Sequence, residues 1–431
     1  MKIIRICRWA FVLFFSLSSV LLAQEKNPDQ FTLDRAIQEA LERNRDLAAV
    51  RKNREIAEGI LVQSRTYPFN PEINFGMMTD QWTKNENENT RSIGLSQEIE
   101  IAGQRGLRIQ SATLEQDRIE REVQNAERLL VAEVQALFNQ LLHLERRVAF
   151  SDEVINLNRQ LVKTTEDRFD VGEAPGLDVS IAQVELNRTI NERTGLEREM
   201  AVLRARLNRV MGRPPQDNLK LVGSIAFHPI SPDLEALLQL ARENRPDLIS
   251  LQTRLKQADI ETTLQKRQRM TNLRLSTFVE KSRGTIGDAA GATLSDQDTL
   301  IGIGLSFSLP ILNQRKGEII EARGIAHRTE QEKEALVLQV EEEVRQAFSR
   351  LSLTQKVLTL FETGILNQSR ENLDLIRAAY EVGEVGITTV IQEQERFIRT
   401  NISYFDSLFD FHVAFIDLEQ SVGKRIMEGM M

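Results

Sequence analysis

The chain of 431 residues has a single cysteine, Cys7, and aromatic residues make up only 6 % of it. One cysteine excludes an intrachain disulfide and a thiolate metal cluster. Scarce aromatics beside 27 % charged residues argue against one thick globular core and suit long solvent-exposed helices. Mean hydropathy is negative. After the N-terminal segment no apolar stretch approaches the roughly 18 residues that a membrane helix needs. If the protein sits in a membrane, it must therefore do so as a β-barrel. Catalytic signatures are missing as well: there is no GxSxG, HExxH or phosphate-binding glycine loop. His143, His228, His327 and His412 are scattered without ligand spacing. Glu341-Glu342-Glu343 reads as a solvated helix face, and Met427, Met430 and Met431 as a passive C-terminus. No catalytic residue, metal site or cofactor is expected, and the chain does not read as an enzyme.

Residues 1–23 have the form of a secretory signal peptide: Lys2, Arg5 and Arg8, an apolar core from Trp9 to Leu22, and a small residue, Ala23, at the cleavage point. Cys7 lies inside this segment. Its removal would leave no cysteine and take the formal net charge from −8 to −11. A chain this acidic is a poor partner for nucleic acid.

The chain also repeats itself, with an offset near 210. Asn44-Arg45-Asp46-Leu47 recurs as Asn244-Arg245-Pro246-Asp247-Leu248, and Ile93-Gly94-Leu95-Ser96 as Ile303-Gly304-Leu305-Ser306. Gln104-Arg105 recurs as Gln314-Arg315, Glu133-Val134 as Glu343-Val344, and Val171-Gly172-Glu173 as Val382-Gly383-Glu384. Matches in the same order over such a period indicate two copies of a domain-sized unit. The expected division is a first repeat over 24–212, a linker over 213–231 carrying Pro214, Pro215 and Pro229, and a second repeat over 232–431. Each copy should open with an amphipathic helix, Thr32 to about Ser64 and Pro232 to about Arg269, followed by two strands and a helical hairpin.

Four segments alternate with period two, near 71–80, 91–101, 272–281 and 299–309. One side is apolar (Ile73, Phe75, Ile93, Leu95, Val279, Ile303, Leu305); the other carries Gly, Ser and Glu. Lengths close to ten residues are those of tilted bilayer-crossing strands. The joining segments, Thr79 to Thr90 and Ser282 to Asp298, read as long polar loops. Four strands cannot close a barrel, so this reading requires several subunits, and three would give twelve strands around a lumen.

The hairpins should span about 104–212 and 313–423. No glycine or proline falls between Leu107 and Val171, and a 65-residue helix would reach roughly 100 Å. Val340, Val344, Ala347, Leu351, Thr354, Leu358, Phe361 and Ile365 step by four and three, the spacing of a coiled coil. The glycines of the Val-Gly-Glu segments would close the turns at the hairpin tips.

On the duplicated plan, the Val-Gly-Glu turns and the segment Gly302-Ile303-Gly304-Leu305-Ser306-Phe307-Ser308-Leu309-Pro310-Ile311, the chain resembles the TolC-like outer-membrane efflux family over nearly its whole length. Gln97-Glu98-Ile99-Glu100-Ile101-Ala102-Gly103-Gln104-Arg105 is most similar to its cobalt–zinc–cadmium branch. The resemblance implies a mainly α protein with a transmembrane β part, a homotrimer with a twelve-stranded barrel in outer-membrane lipid and a long periplasmic coiled-coil tunnel. It implies a passive conduit serving an inner-membrane pump, docked to a periplasmic adaptor through Val171, Gly172, Glu173, Val382, Gly383 and Glu384. Asp178, with Thr389 and Gln392 in the second repeat, matches the positions that line the closed end of the tunnel in the family. The competing readings are a periplasmic coiled-coil adaptor or scaffold, which leaves the strands unexplained, and a secreted enzyme, which lacks clustered reactive groups.

Overall fold

The structure is a computed structural model and describes residues 30–79, 89–287 and 293–426. The expected signal peptide with Cys7, and Met427, Met430 and Met431, lie outside the described residues.

Each copy opens with short helices rather than one long one. In the first they are α1 (Leu33–Arg43), α2 (Arg45–Arg51) and α3 (Asn53–Arg65). The hydroxyl of Thr32 caps α1, and the side chain of Asn44 caps α2 by accepting from the Leu47 N–H at 2.8 Å. The single helix expected from Thr32 to about Ser64 is thus broken where Asn44 turns extended, at ψ 125°. In the second copy α6 (Leu234–Asn244) and α7 (Pro246–Arg267) meet at Arg245, which the following proline holds outside the helical region at ψ 115°. The equivalent break residues are therefore Asn44 and Arg245, one position off the sequence match of Asn44 with Asn244. Asn44 donates its amide to the Val210 carbonyl, and Arg245 donates its guanidinium to the Ser421 carbonyl.

Beside these breaks the returning helices end on glycines with left-handed backbones, Gly212 (φ 75°) and Gly423 (φ 81°). A Cβ on Gly212 would run into the Arg43 carbonyl, and one on Gly423 would press on Arg245. A small parallel pair, β1 (Gln30–Phe31) with β4 (Lys220–Leu221), ties the N-terminal segment to the linker. The Phe31 ring is buried under the guanidinium groups of Arg35 and Arg213.

The main sheet has four antiparallel strands in the order β2 (Glu72–Thr79), β3 (Asn89–Ile99), β5 (Leu273–Gly287), β6 (Thr293–Phe307). The register places Ile73 opposite Leu95, Ile93 opposite Val279 and Thr277 opposite Ile303, so one face collects the apolar residues of all four strands. These side chains are exposed. The other face collects Gly, Ser, Glu and Arg, but also Phe278, Met78 and Leu300. Phe278 is accommodated because Gly302 lies opposite it: a Cβ there would occupy the ring's place. The second pair of strands is longer than its sequence pattern indicated. Pairing runs to Gly287 and resumes at Thr293, so most of the segment read as a loop from Ser282 to Asp298 is hairpin. Backbone pairing needs no alternation of side chains, which is why polar Ser282, Asp296 and Asp298 belong to strands.

Two long hairpins run away from the sheet. In the first, α4 (Gln104–Asp170, 67 residues) returns as α5 (Gly176–Val210). In the second, α8 (Lys316–Leu360) passes through a π-helical turn, Phe361–Ile365, into α9 (Leu366–Glu381) and returns as α10 (Ile387–Val422). The core is strung along them as separate clusters, one against α1 around Phe138 and Leu141, one against α6 around Val344 and Leu351, and two between the hairpins.

The expected seam holds through Val340, Val344, Ala347, Leu351 and Leu358, which are buried. It does not continue through Ile365, which is exposed; burial resumes at Leu373 and Tyr380. The π-turn inserts one residue into the helical count and rotates the seam accordingly. The repeat shows the same insertion. Val134 and Val344 are 210 positions apart, whereas Gly172 and Gly383, beyond the turn, are 211 apart.

Inserting one alanine after Leu366, with the π-turn left in place, would rotate everything beyond it by about 100°. Leu373 and Tyr380 would leave the seam, at a cost of roughly 1.5–3 kcal/mol for each large side chain exposed. A lower thermal midpoint by circular dichroism and new protease cleavage within α9 are expected; an unchanged melt would refute the register shift.

Candidate functional site

The two hairpin tips are built alike. At the first, the N–H of Gly172 donates to the Phe169 carbonyl (2.9 Å) and that of Glu173 to the Arg168 carbonyl (2.8 Å). At the second, Gly383 donates to Tyr380 (3.0 Å) and Glu384 to Ala379 (2.9 Å). This pair of bonds is a Schellman closure, and it requires the left-handed residue that glycine supplies: φ is 81° at Gly172 and 82° at Gly383. The bend throws the preceding residue outward. Val171 is 71 % and Val382 73 % exposed, apolar side chains at the far end of each hairpin. Glu173 and Glu384 are exposed beside them.

The helices then restart at Gly176 and Ile387, with Asp178 N–H bonded to the Pro175 carbonyl and Thr389 N–H to that of Gly386. Asp178 and Thr389 thus hold matching first-turn positions. Asp178 is half-buried, and its carboxylate favours the positive end of α5. Thr389 and Gln392 are exposed on α10. The nine residues singled out from the sequence therefore fall at the two tips and in the first two turns of the returning helices.

Residues that the sequence pattern did not single out join the tips. Arg168 lays its guanidinium 4.7 Å from the centre of the Tyr380 ring and donates to the Tyr380 carbonyl. Its Nε lies 3.8 Å from a Glu173 carboxylate oxygen. The Tyr380 hydroxyl meets the Thr165 hydroxyl at 3.0 Å in a buried position. Tyr380 is 2 % exposed and packs with Leu161, Ala182, Ile387 and Val390. Its counterpart in the first copy, Phe169, stays half-exposed against Gly176. The one available signal was that Tyr380 is among only three tyrosines in the chain.

A turn further along, Asn158 donates to the Thr189 hydroxyl (2.9 Å) and accepts from the Gln394 amide (2.7 Å), all three buried. Beside this network Arg188 is shared by Glu185, Glu192 and Glu395. Burial holds the Glu185 carboxyl above its ordinary pKa, with Glu395 and Glu192 pushing the same way and Arg188 opposing. Among the described residues no group of three or more His, Cys, Asp or Glu is placed to hold a metal ion, and no helix is long and apolar enough to cross a membrane.

Two outcomes test this geometry. With Cys7 replaced by serine and spin labels at positions 173 and 384, Arg168→Ala should broaden the tip-to-tip distance distribution by electron double resonance. Tyr380→Phe, which keeps the ring and loses about 1 kcal/mol of hydrogen bonding, should leave it narrow; equal broadening in both would refute the guanidinium–ring contact as the link. For Glu185, a raised folded pKa means that its contribution to stability is greatest below the ordinary carboxylate pKa and is lost as pH rises through the folded value. Glu185→Gln should therefore unfold at a higher temperature than the parent at neutral pH, the difference vanishing in acid.

The sequence pattern of the outer membrane efflux protein family matches this chain twice, over residues 36–213 and 237–424. The cobalt-zinc-cadmium resistance protein CzcC of Cupriavidus metallidurans is 21 % identical over 397 residues, 91 % of this chain and 90 % of the relative. The fold is similar to that of the outer-membrane channel OprN, with a TM-score of 0.74 at 18 % identity over 91 % of this chain and 89 % of that one. It is equally similar to CusC, described for its folding and transmembrane channel formation, with a TM-score of 0.74 at 17 % identity over 91 % and 92 % of the two chains. The duplicated strands and hairpins, matched along both copies, make this chain a member of the outer membrane efflux protein family.

Proposed function

We propose that the chain is the outer-membrane conduit of a tripartite efflux system, working without catalysis as a homotrimer. The carrying observation is the four-stranded sheet. Its apolar face is exposed along every strand, and neither β2 nor β6 has a second strand partner among the described residues. In hydrocarbon such edges cannot stay open. Because β2 and β6 run in opposite directions, β6 of one copy can pair antiparallel with β2 of the next, and three copies give twelve strands with room for a lumen.

The helical part supports the same ring. α5 and α8–α9 flank each subunit and carry exposed apolar residues, Leu177, Val184 and Val202 on one, Leu338, Leu353 and Leu375 on the other. A periplasmic scaffold would leave both the sheet face and these ladders unexplained. The two repeats, 24–212 and 232–431 about the linker 213–231, would each supply two strands and one hairpin, with residues 1–23 directing export.

In this reading Val171, Gly172, Glu173, Val382, Gly383 and Glu384 dock a periplasmic adaptor, and an inner-membrane pump supplies the energy. Asp178, Thr389 and Gln392 line the narrow end, a constriction with one carboxylate per subunit. Metal cations are the proposed cargo. The relative CzcC carries a metal-resistance name. On the sheet's polar face, Arg274 lies between Glu72 (2.8 Å) and Glu98 (3.5 Å), leaving net negative charge at the base of the barrel. An acidic passage raises the local cation concentration.

Purified mature protein should run as a trimer in detergent and form ion-conducting pores in planar bilayers that prefer cations. A water-soluble monomer without conductance would reject the conduit, and anion preference would reject the cationic cargo.

A further inference from the structure

β6 does not pass straight into α8. Between them Leu309, Pro310, Ile311 and Leu312 form a compact hook, turned by a bond from the Ile311 N–H to the Leu309 carbonyl (2.9 Å) and ended by Asn313, whose side chain accepts from the Arg315 N–H (2.9 Å). Its aliphatic side chains are bare: Leu312 is 99 % exposed, and Leu309 and Ile311 are largely so. The hook continues the apolar band of Ile301, Ile303, Leu305 and Phe307 beyond the last strand residue. The first repeat makes the same passage from Ile99 to Gln104 with an exposed Ile101, but it has Glu100, whose carboxylate pairs with Arg108, and Ala102 where the second copy has Pro310 and Leu312. The proline turn and the bare Leu312 are thus features of the second copy alone.

Behind it lies an open cleft of about 510 Å³, apolar at the hook and basic at the opposite wall. Arg269, in the turn after α7, and Arg315 supply the charge, with Thr271 and Ser308 between. Among the described residues Arg269 forms no ion pair, and Arg315 has one contact of 3.5 Å, through Nε, to Glu318. Arg315 is also the one described non-glycine residue with a left-handed backbone (φ 52°), a conformation that needs support from its surroundings. Exposed Lys316 and Arg267 extend the basic side. Aliphatic groups at the end of a membrane-facing band, followed by guanidinium groups that can chelate phosphate oxygens, are the order in which a lipid presents its chain and headgroup.

We propose that this cleft binds an anionic phospholipid of the membrane leaflet facing the helical part, its acyl chain against Leu309, Ile311 and Leu312 and its phosphate between Arg269 and Arg315. The proposal rests on the barrel reading above, which puts the hook at the rim of the bilayer.

The test is native mass spectrometry of the full-chain oligomer released from detergent after incubation with dioleoylphosphatidylglycerol or dioleoylphosphatidylcholine. The parent should retain the anionic lipid severalfold over the zwitterionic one. Arg269→Gln and Arg315→Asn, the latter keeping a residue that tolerates φ above zero, should each reduce that preference and together abolish it. Equal retention of both lipids by the parent, or preference unchanged in the double variant, overturns the site. Leu312→Trp in vesicles of the anionic lipid supplies an independent reading. Its added fluorescence should be quenched by brominated acyl chains; a shielded but unquenched indole means that a second copy covers the hook and overturns the proposal. Bilayer conductance of the same samples separates the two levels: variants that lose lipid preference while conducting leave the conduit intact, whereas a parent that forms no pore removes the barrel reading itself.

Discussion

A backbone amide in hydrocarbon must find its partner within the protein, because no water is there to replace it. Four strands satisfy this rule only on their inner pairs. Among the described residues the outward groups of β2 and β6 have no strand partner in the single chain, and in the proposed barrel a neighbouring copy would close them. Each copy contributes one pair of strands, and β3 joins β5 to fuse the two pairs into one sheet. The continuous apolar face exists only because this central pairing keeps Ile93 beside Val279 and Leu95 beside Thr277; a slip of one residue would turn half of it over.

The helices meet a different constraint. A slender hairpin cannot enclose a core by itself, so its stability comes from lateral packing repeated along its length. The two hairpins are fastened at intervals by polar contacts with fixed partners: Arg168 with Tyr380, Asn158 with Thr189 and Gln394, and Arg377 with Gln160. Of these, the groups of Asn158, Thr189 and Gln394 are buried and set register, since a shifted helix would leave them unpaired. The π-turn at Phe361–Ile365 belongs to the same logic. It absorbs the extra residue of the second copy and lets both tips end level, each on its own Val-Gly-Glu turn.

Near the start of each copy, duplication has been followed by divergence. Asn44 and Arg245 make the same contact to the end of the returning helix, one neutral and one charged. The charged version is buried and brings its own partners, Asp247 and Glu343, with Arg128 close to Asp247. These neighbours favour the ionised Asp247, whose pKa is lowered despite burial. A buried guanidinium is tolerated only with such company.

The local features of this protein were legible in the sequence because they rest on local causes. Period-two alternation marked the strands, absence of glycine and proline marked α4, and Val-Gly-Glu marked the tips, where a left-handed residue is required whatever surrounds it. The duplication was legible because both copies obey the same local rules. Other features depended on distant groups meeting. Beyond the scarcity of tyrosine, Tyr380 gave no sign of its role because Arg168 and Thr165 lie more than 200 positions away. The seam could not be read past Leu358, since a heptad pattern does not reveal an added residue until packing resumes at Leu373. Strand ends beyond Ser282 were hidden for a related reason: paired backbones hold them, and side-chain pattern is silent about backbone partners. The sequence by itself determined which segments are strands, long helices and turns, because those depend on residues near in the chain. Only the tertiary structure decided which face pairs with which, where the seam shifts and what joins the tips, because those contacts form only once the two copies lie side by side.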